Sequence, residues 1–131
     1  MKSDYALAKW LDLLIEALAV LGLDMNRARK HAELMRNAGF INVEERIFKV
    51  PIGSWPKNQS MKLIGLYMRT VIYDGLQGIS LGPLTRGLKW QSEEVEVLLA
   101  GVRKSLMDSS QHTYFTTNMI YGQKPLDAAV E

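Results

Sequence analysis

The spacing of apolar and polar residues along the chain predicts four main helices and two strands. Charged residues at intervals of three and four form a narrow polar stripe over residues 4–21, which indicates an amphipathic helix that is covered on most of its surface. Gly22 ends this helix, and Asp24 is placed to cap a second helix over residues 25–39. The chain is therefore predicted to begin with a pair of helices.

Two segments alternate in the manner of strands. Residues 40–50 carry apolar side chains on both faces in their second half, so that end of the strand is predicted to be buried on both sides. Residues 112–122 are rich in β-branched and aromatic side chains and are closed by Gly122 and Pro125, which predicts a second strand. Two strands alone form a marginal sheet, so either helices cover both faces or another chain completes it.

The region between the strands is predicted to be helical but interrupted. Residues 60–75 are apolar around much more than one face, which predicts a buried or interface helix. Residues 74–90 are rich in glycine, and we expect only one or two short helical turns there. Ser92 is the predicted cap of a further helix over residues 92–110.

Length and composition limit the fold and the classes of function. A chain of 131 residues suits one predominantly helical α+β domain over residues 1–131, with a loose tail over residues 126–131. The 16 basic and 14 acidic residues are interleaved, so no nucleic-acid partner is expected. The absence of cysteine excludes disulfides and thiolate chemistry, and the two histidines are too distant in sequence to suggest a metal site. Charges interrupt the apolar segment at 6–23, so we expect no membrane span and a cytoplasmic protein.

Three short motifs and the order of the predicted elements carry a resemblance to a known family; the motifs are AGFINV at 38–43, PIGSWP at 51–56 and YGQKP at 121–125. Over residues 7–125 the chain resembles the C-terminal half of fungal class I S-adenosylmethionine-dependent methyltransferases, in particular those related to the velvet-associated regulator of secondary metabolism. The resemblance implies that residues 40–50 and 112–122 are the last two strands of the family's sheet. It also implies that residues 53–110 form a lid-like insertion between those strands.

The resemblance also implies what the sequence lacks. Such enzymes hold their cofactor in the N-terminal half, through a glycine-rich turn and acidic residues that this sequence does not contain, so we expect no intact adenosylmethionine site and no cofactor. In the family's sheet, the strand that matches residues 112–122 lies between two others, and one of these neighbours is absent here. An unpaired strand edge favours association. We therefore expect a homodimer, formed by pairing of two such edges or by exchange of the N-terminal helix.

The best candidates for acid and base chemistry are His112 and Tyr114, which are expected on the same face of the last strand. Histidine can transfer a proton near neutral pH, and tyrosine can donate a hydrogen bond to a substrate carbonyl. The alternative is that both side chains only anchor the strand to a neighbouring helix.

Aromatic and methionine side chains are concentrated in the lid-like segment, where they could bind a flat or apolar small molecule. The predicted substrate-binding residues are Trp55, Tyr67, Met68, Tyr73 and Trp90. The same residues could equally form ordinary core. Asp74 and Arg86 could be polar groups of the same pocket, although surface or capping roles suit each of them too.

These observations predict a cofactor-independent methyltransferase-like enzyme, one that binds a secondary-metabolite intermediate and catalyses a cyclisation, isomerisation or pericyclic step without methyl transfer. Such reactions require shape, hydrogen bonds and at most one proton donor. The alternative is a non-catalytic interaction or regulatory subunit that pairs with a full-length methyltransferase or another partner. A third interpretation is that the sequence is a fragment of a longer chain.

Overall fold

The computed structural model of the protein describes residues 5–126. In chain order its elements are α1 Ala6–Val20, a 3₁₀ turn Arg27–Lys30, α2 His31–Asn37, β1 Ile41–Pro51, α3 Gln59–Gly82, a π-helical turn Pro83–Gly87, α4 Ser92–Leu106 and β2 Tyr114–Gln123. The predicted mixed fold, mainly helical with one pair of strands, is confirmed. Except for Leu126, the predicted tail lies outside the described residues.

The described residues group into two compact units. The first contains residues 5–25 and 50–115, and the second contains residues 26–49 and 116–126. Helices α1, α3 and α4 and the π-helical turn all belong to the first unit. The second unit contains the 3₁₀ turn, α2 and most of the two strands.

The first unit is built around an apolar core shared by its three helices and the π-helical turn. The buried members are Leu7, Trp10, Leu14, Ala17, Leu76, Leu84, Val95, Leu99, Val102 and Leu106. One polar pair lies within this core, because the Trp10 indole N–H donates a 2.7 Å hydrogen bond to the buried Ser80 hydroxyl. Both polar groups are thereby satisfied, as burial requires.

Helix α3 is longer than the sequence predicted. The expectation of only short turns over residues 74–90 is wrong, because α3 continues to Gly82 and the π-helical turn follows directly. Glycine in a helix interior costs about 1 kcal/mol relative to alanine. Full burial of Leu76 and Leu84 contributes roughly 2 kcal/mol for each side chain, which offsets that cost. Tertiary packing therefore overrides the weak local preference of this segment.

The other helices differ from the predictions mainly at their ends. Helix α1 is confirmed, but the predicted helix over residues 25–39 is a 3₁₀ turn followed by the seven-residue α2. Three basic residues lie in the 3₁₀ turn, next to the positive end of α2, where a helix dipole disfavours them. The cap of α4 is Gln91 rather than Ser92, because the Gln91 backbone N–H donates to the Glu94 carboxylate at 3.2 Å in a capping box.

Strands β1 and β2 form an antiparallel two-stranded ribbon. Its register is fixed by the side-chain pairs Glu44–Tyr121 and Asn42–Gln123 and by the 2.9 Å backbone hydrogen bond from Ile52 to Thr113. The prediction that the second half of β1 is buried on both faces is wrong, since the side chains of residues 47 and 48 are 60% and 45% exposed. Within the described residues β1 has one strand neighbour, and the short α2 is too small to cover its length.

Candidate functional site

One backbone carbonyl of the first unit accepts two hydrogen bonds from the loop that follows β1. The Thr113 carbonyl accepts hydrogen bonds from the Ile52 N–H at 2.9 Å and from the Trp55 indole N–H at 2.8 Å. The Thr113 hydroxyl is in turn 3.1 Å from the Tyr5 hydroxyl. These three contacts fix the orientation of the Trp55 ring, which is half-buried.

The same loop lies directly on α3 through two glycines. The Gly53 N–H donates a 2.9 Å hydrogen bond to the Gly65 carbonyl, and Gly53 has a left-handed φ of 103° that favours glycine. A Cβ atom on Gly65 would collide with the Gly53 carbonyl group. Both positions therefore require glycine for the loop to approach the helix this closely.

The indole of Trp55 stacks on the imidazole of His112, with ring centroids 4.8 Å apart and planes 9° from parallel. His112 is exposed, so one face of its ring is covered by the indole while the ring remains accessible. The structure therefore brings together a predicted substrate-binding residue and a predicted catalytic residue. We call this arrangement the Trp55–His112 platform.

The platform combines two kinds of chemistry in one place. A stacked indole offers an apolar, planar contact for a flat ligand. Histidine can accept or donate a proton near neutral pH. The Thr113 carbonyl holds the Trp55 ring, and the His112 imidazole is positioned by stacking on that ring. Among the described contacts His112 forms no ion pair.

The remaining predicted site residues are more scattered. Tyr114 is the first residue of β2, whereas His112 precedes the strand, so the two do not share it as expected. On α3, Tyr67 is 67% exposed and lies ~160° around the helix from Gly65, on the side away from the Trp55 loop. Met68 is half-buried and Tyr73 is 38% exposed. Asp74 and Arg86 are exposed.

Trp90 lies in the segment between the π-helical turn and α4. It is half-buried and packs against the core of the first unit, while its backbone N–H donates a 3.0 Å hydrogen bond to the Leu84 carbonyl. This position fits the alternative in which Trp90 is core. The functional roles of these residues stay predictions.

Helix α3 carries an exposed apolar surface, which the sequence predicted only as the alternative to a buried helix. The side chains of Leu63, Ile64, Tyr67 and Val71 are 53%, 45%, 67% and 63% exposed and share one side of the helix, which we call the α3 stripe. The sequence indicated either a buried or an interface helix. Within the described residues this side is not buried.

A second recess was not predicted. In the second unit, an open groove of about 470 Å³ lies between α2 and the ribbon. It is lined by His31, Leu34, Met35, Ala38, Phe40, Asn118 and Ile120. No sequence pattern marks it, because the residues from β2 come more than eighty positions after those from α2.

Two titratable groups outside the platform have shifted pKa values. The Tyr121 hydroxyl donates a hydrogen bond to the Glu44 carboxylate, which raises the pKa of Tyr121. Hydrogen bonds from the Ser110 side chain and backbone lower the pKa of Asp108. Both groups are exposed, so these shifts describe local contacts rather than a buried reactive site.

The described residues offer little for a metal or for adenosylmethionine. No cluster of three or more potential ligands that could hold a metal occurs within residues 5–126. The turn after β1 contains only one glycine, Gly53, and the Gly53 carbonyl lies against Gly65 instead of facing a ligand. This turn therefore does not form a glycine-rich cradle of the kind that binds nucleotide cofactors. In the same range, no helix has both the length and the apolarity to cross a bilayer.

Comparison with known proteins gives matches along nearly the whole chain. Methyltransferase pytC of Aspergillus terreus is 34% identical over 122 residues, which cover 93% of this chain and 38% of that protein. Probable methyltransferase tdiE of Emericella nidulans is 29% identical over 91% of this chain and 38% of that protein. Secondary metabolism regulator laeA of Emericella nidulans is 23% identical over 92% of this chain and 33% of that protein. No protein-family model and no solved structure matches the chain.

These similarities confirm the resemblance carried by the sequence motifs. The chain is a homologue of fungal methyltransferases. Among them, it is related to regulators of secondary metabolism of the laeA type. It spans between 33% and 38% of the length of the three relatives named above.

Proposed function

We propose that this chain is a methyltransferase-like protein of secondary metabolism that binds a flat, apolar metabolite intermediate at the Trp55–His112 platform. In this proposal it promotes a cyclisation, isomerisation or pericyclic step and does not itself transfer a methyl group. The methyltransferase-like role is supported by relatives named as methyltransferases and as regulators of secondary metabolism. The observation that carries the site is the stack of an exposed imidazole on a fixed indole.

The chemistry follows from the two rings. Trp55 would hold the planar part of the ligand and orient it, which lowers the entropic part of the barrier. In an isomerisation, the His112 imidazole would take a proton from one ligand atom and return a proton to another, so the protein ends as it began. A pericyclic step would need only the orientation that the indole supplies. None of these steps calls for adenosylmethionine.

The proposal is tested with a panel of secondary-metabolite intermediates, followed by chromatography and mass spectrometry. An isomerisation should slow about 100-fold or more in His112→Gln, since proton transfer contributes about that factor. His31→Gln is the matched control, because His31 is the other histidine of the chain and lies in the second unit. Unchanged turnover in His112→Gln would exclude His112 as the acid or base. Turnover that requires adenosylmethionine would exclude the cofactor-independent reaction.

A second candidate function is favoured by the α3 stripe. A row of exposed apolar side chains on one helix is typical of a protein–protein contact. In this alternative, the chain is a non-catalytic subunit whose α3 binds a full-length methyltransferase-type protein. Val71→Glu should then abolish co-purification with that protein, whereas Val97→Glu on the exposed side of α4 should not. An equal loss of co-purification in Val71→Glu and Val97→Glu would exclude α3 as the specific contact.

A further inference from the structure

The two edges of the β-ribbon differ in chemistry. Within the described residues each strand has a single strand neighbour, so each has one outer edge. β1 contains four charged residues and ends at a proline, and such residues discourage pairing with further strands. β2, with the sequence YFTTNMIYGQ, has no charged residue and no proline over ten positions. The outer edge of β2 is therefore the unprotected one.

The register shows which backbone groups lie on that edge. Ile52 and Thr113 form a hydrogen-bonded pair, and the side-chain pairs at the other end of the ribbon keep the same register. Because hydrogen-bonded and non-hydrogen-bonded pairs alternate in an antiparallel ribbon, the odd-numbered residues of β2 bond to β1. The backbone groups of Thr116, Asn118 and Ile120 consequently point outward.

We propose that this outer edge of β2 pairs antiparallel with β2 of a second copy of the chain. A two-fold axis at Asn118 pairs nearly the whole length of both strands and places Thr116 opposite Ile120 of the other copy. It also places Phe115 opposite Tyr121 of the other copy, and such cross-strand aromatic pairs stabilise antiparallel sheets. No like charges meet, because the strand carries none.

The small size of the two-stranded ribbon is a reason to expect a second copy at this edge. A two-stranded ribbon is marginal in water, whereas a sheet of three or more strands with an apolar face can be stable. Pairing through β2 makes a continuous four-stranded sheet whose outer strands are the charged β1 strands. The same face of each ribbon carries Phe48, Met119 and Tyr121, which are 45%, 53% and 44% exposed, so pairing doubles that apolar surface.

Equivalent pairing through β1 is disfavoured by its sequence. The outer edge of β1 is already partly occupied, because the Arg36 side chain donates a 3.4 Å hydrogen bond to the outward carbonyl of Val43. A two-fold axis at Glu45 would also place the Glu45 carboxylates of the two copies opposite each other. Like charges directly opposite each other destabilise a strand pair. The second copy is therefore expected at β2 and not at β1.

Single cysteines provide the sharpest test, because the chain contains none of its own. Variants Thr116→Cys, Asn118→Cys and Ile120→Cys, with Ile47→Cys on the outer edge of β1 as control, are oxidised at micromolar concentration and run on non-reducing gels. A residue on the axis has its Cα about 5.5 Å from its symmetry mate, a spacing that suits a disulfide. Asn118→Cys should therefore crosslink, whereas Thr116→Cys and Ile120→Cys, whose Cα atoms lie roughly 14 Å from their own symmetry mates, should stay at the background level of Ile47→Cys. An equal mixture of Thr116→Cys and Ile120→Cys should crosslink, because these two residues lie opposite each other in the dimer.

Proline provides the complementary test by removing one outward N–H group. Light scattering on the unmodified protein should give the mass of a dimer. Thr116→Pro should give a monomer, while Ile47→Pro, which removes an outward N–H from β1, should leave the dimer intact. Circular dichroism of both variants checks that the helices remain folded.

Several results would overturn this proposal. One is a monomer mass for the unmodified protein at micromolar concentration. A second is a dimer that persists in folded Thr116→Pro, which would instead fit exchange of the N-terminal helix. A third is crosslinking at Ile47→Cys that equals or exceeds crosslinking at Asn118→Cys, which would assign the contact to the other edge. If Thr116→Pro does not fold, the cysteine series decides alone.

Discussion

Two glycines in α3, Gly65 and Gly78, should respond to alanine in opposite ways. A Cβ on Gly65 would lie 3.1 Å from the Gly53 carbonyl carbon and closer still to its oxygen, inside the 3.0 Å limit that real Cβ atoms keep. Both atoms belong to the backbone, so no side chain can rotate away. A Cβ on Gly78 would meet nothing within 4 Å.

The magnitudes follow from this geometry. Forcing extra volume into a packed contact costs about 1–3 kcal/mol, and displacing the loop also loses the Gly53–Gly65 hydrogen bond, worth about 1 kcal/mol. Alanine in a helix interior gains about 1 kcal/mol over glycine at either position. Gly65→Ala is therefore expected to destabilise the protein by about 1–3 kcal/mol, and Gly78→Ala to stabilise it by up to about 1 kcal/mol. The gain in helix propensity is the same at both positions. The difference in the free energy of unfolding between the two variants therefore measures the contact between Gly65 and Gly53 alone.

Urea denaturation followed by circular dichroism measures both variants. With a slope of roughly 1–3 kcal/mol per molar urea, a loss of 2 kcal/mol moves the midpoint by about 1 M. Acrylamide quenching of tryptophan fluorescence should also increase in Gly65→Ala, because the displaced loop carries Trp55. A Gly65→Ala protein as stable as Gly78→Ala would refute the close approach of the loop to α3.

Three further predictions concern polar contacts. Trp10→Phe should lower the free energy of unfolding by about 1–3 kcal/mol, because the buried Ser80 hydroxyl loses its partner, and adding Ser80→Ala should recover part of the loss in a double-mutant cycle. Because the pKa of Asp108 is lowered, its carboxylate contributes to stability at neutral pH, and this contribution disappears as the pH falls below the ordinary pKa of 3.8. The free energy of unfolding of Asp108→Asn should therefore vary less with pH in acid than that of the unmodified protein. The raised pKa of Tyr121 means that its contribution is present below its ordinary value of 10.0 and is lost as the pH rises above it. Spectrophotometric titration should show one tyrosine that ionises late, and Glu44→Gln should remove the delay; a titration unchanged by Glu44→Gln would contradict the assigned cause.

Part of the candidate site was accessible from the sequence. Trp55 was a candidate as an aromatic residue of the lid-like segment, and His112 was a candidate as a titratable residue of the last predicted strand; the structure stacks them. Their contact itself was not predictable, since it depends on the carbonyl of Thr113 binding the indole across 58 positions of sequence. Tyr67 shows the opposite case: an aromatic residue in the predicted lid whose place on the helix turns it away from the Trp55 loop.

The sequence by itself determined the class of fold, the approximate places of both strands and of α1 and α4, and the relationship to fungal methyltransferases. These features rest on local periodicity, caps and short motifs, which each segment carries without its neighbours. Only the tertiary structure decided the length of α3, the exposure of β1 and the contacts at Gly65. Each of these depends on which distant residues come to lie alongside. Leu76 and Leu84 are buried in a core that they share with α1, which lies far away in sequence. Within the described residues β1 has β2 as its one strand neighbour. Burial is a property of the assembled chain. This is why a glycine-rich segment forms a helix, and why the apolar side chains of Ile47 and Phe48 in β1 are exposed.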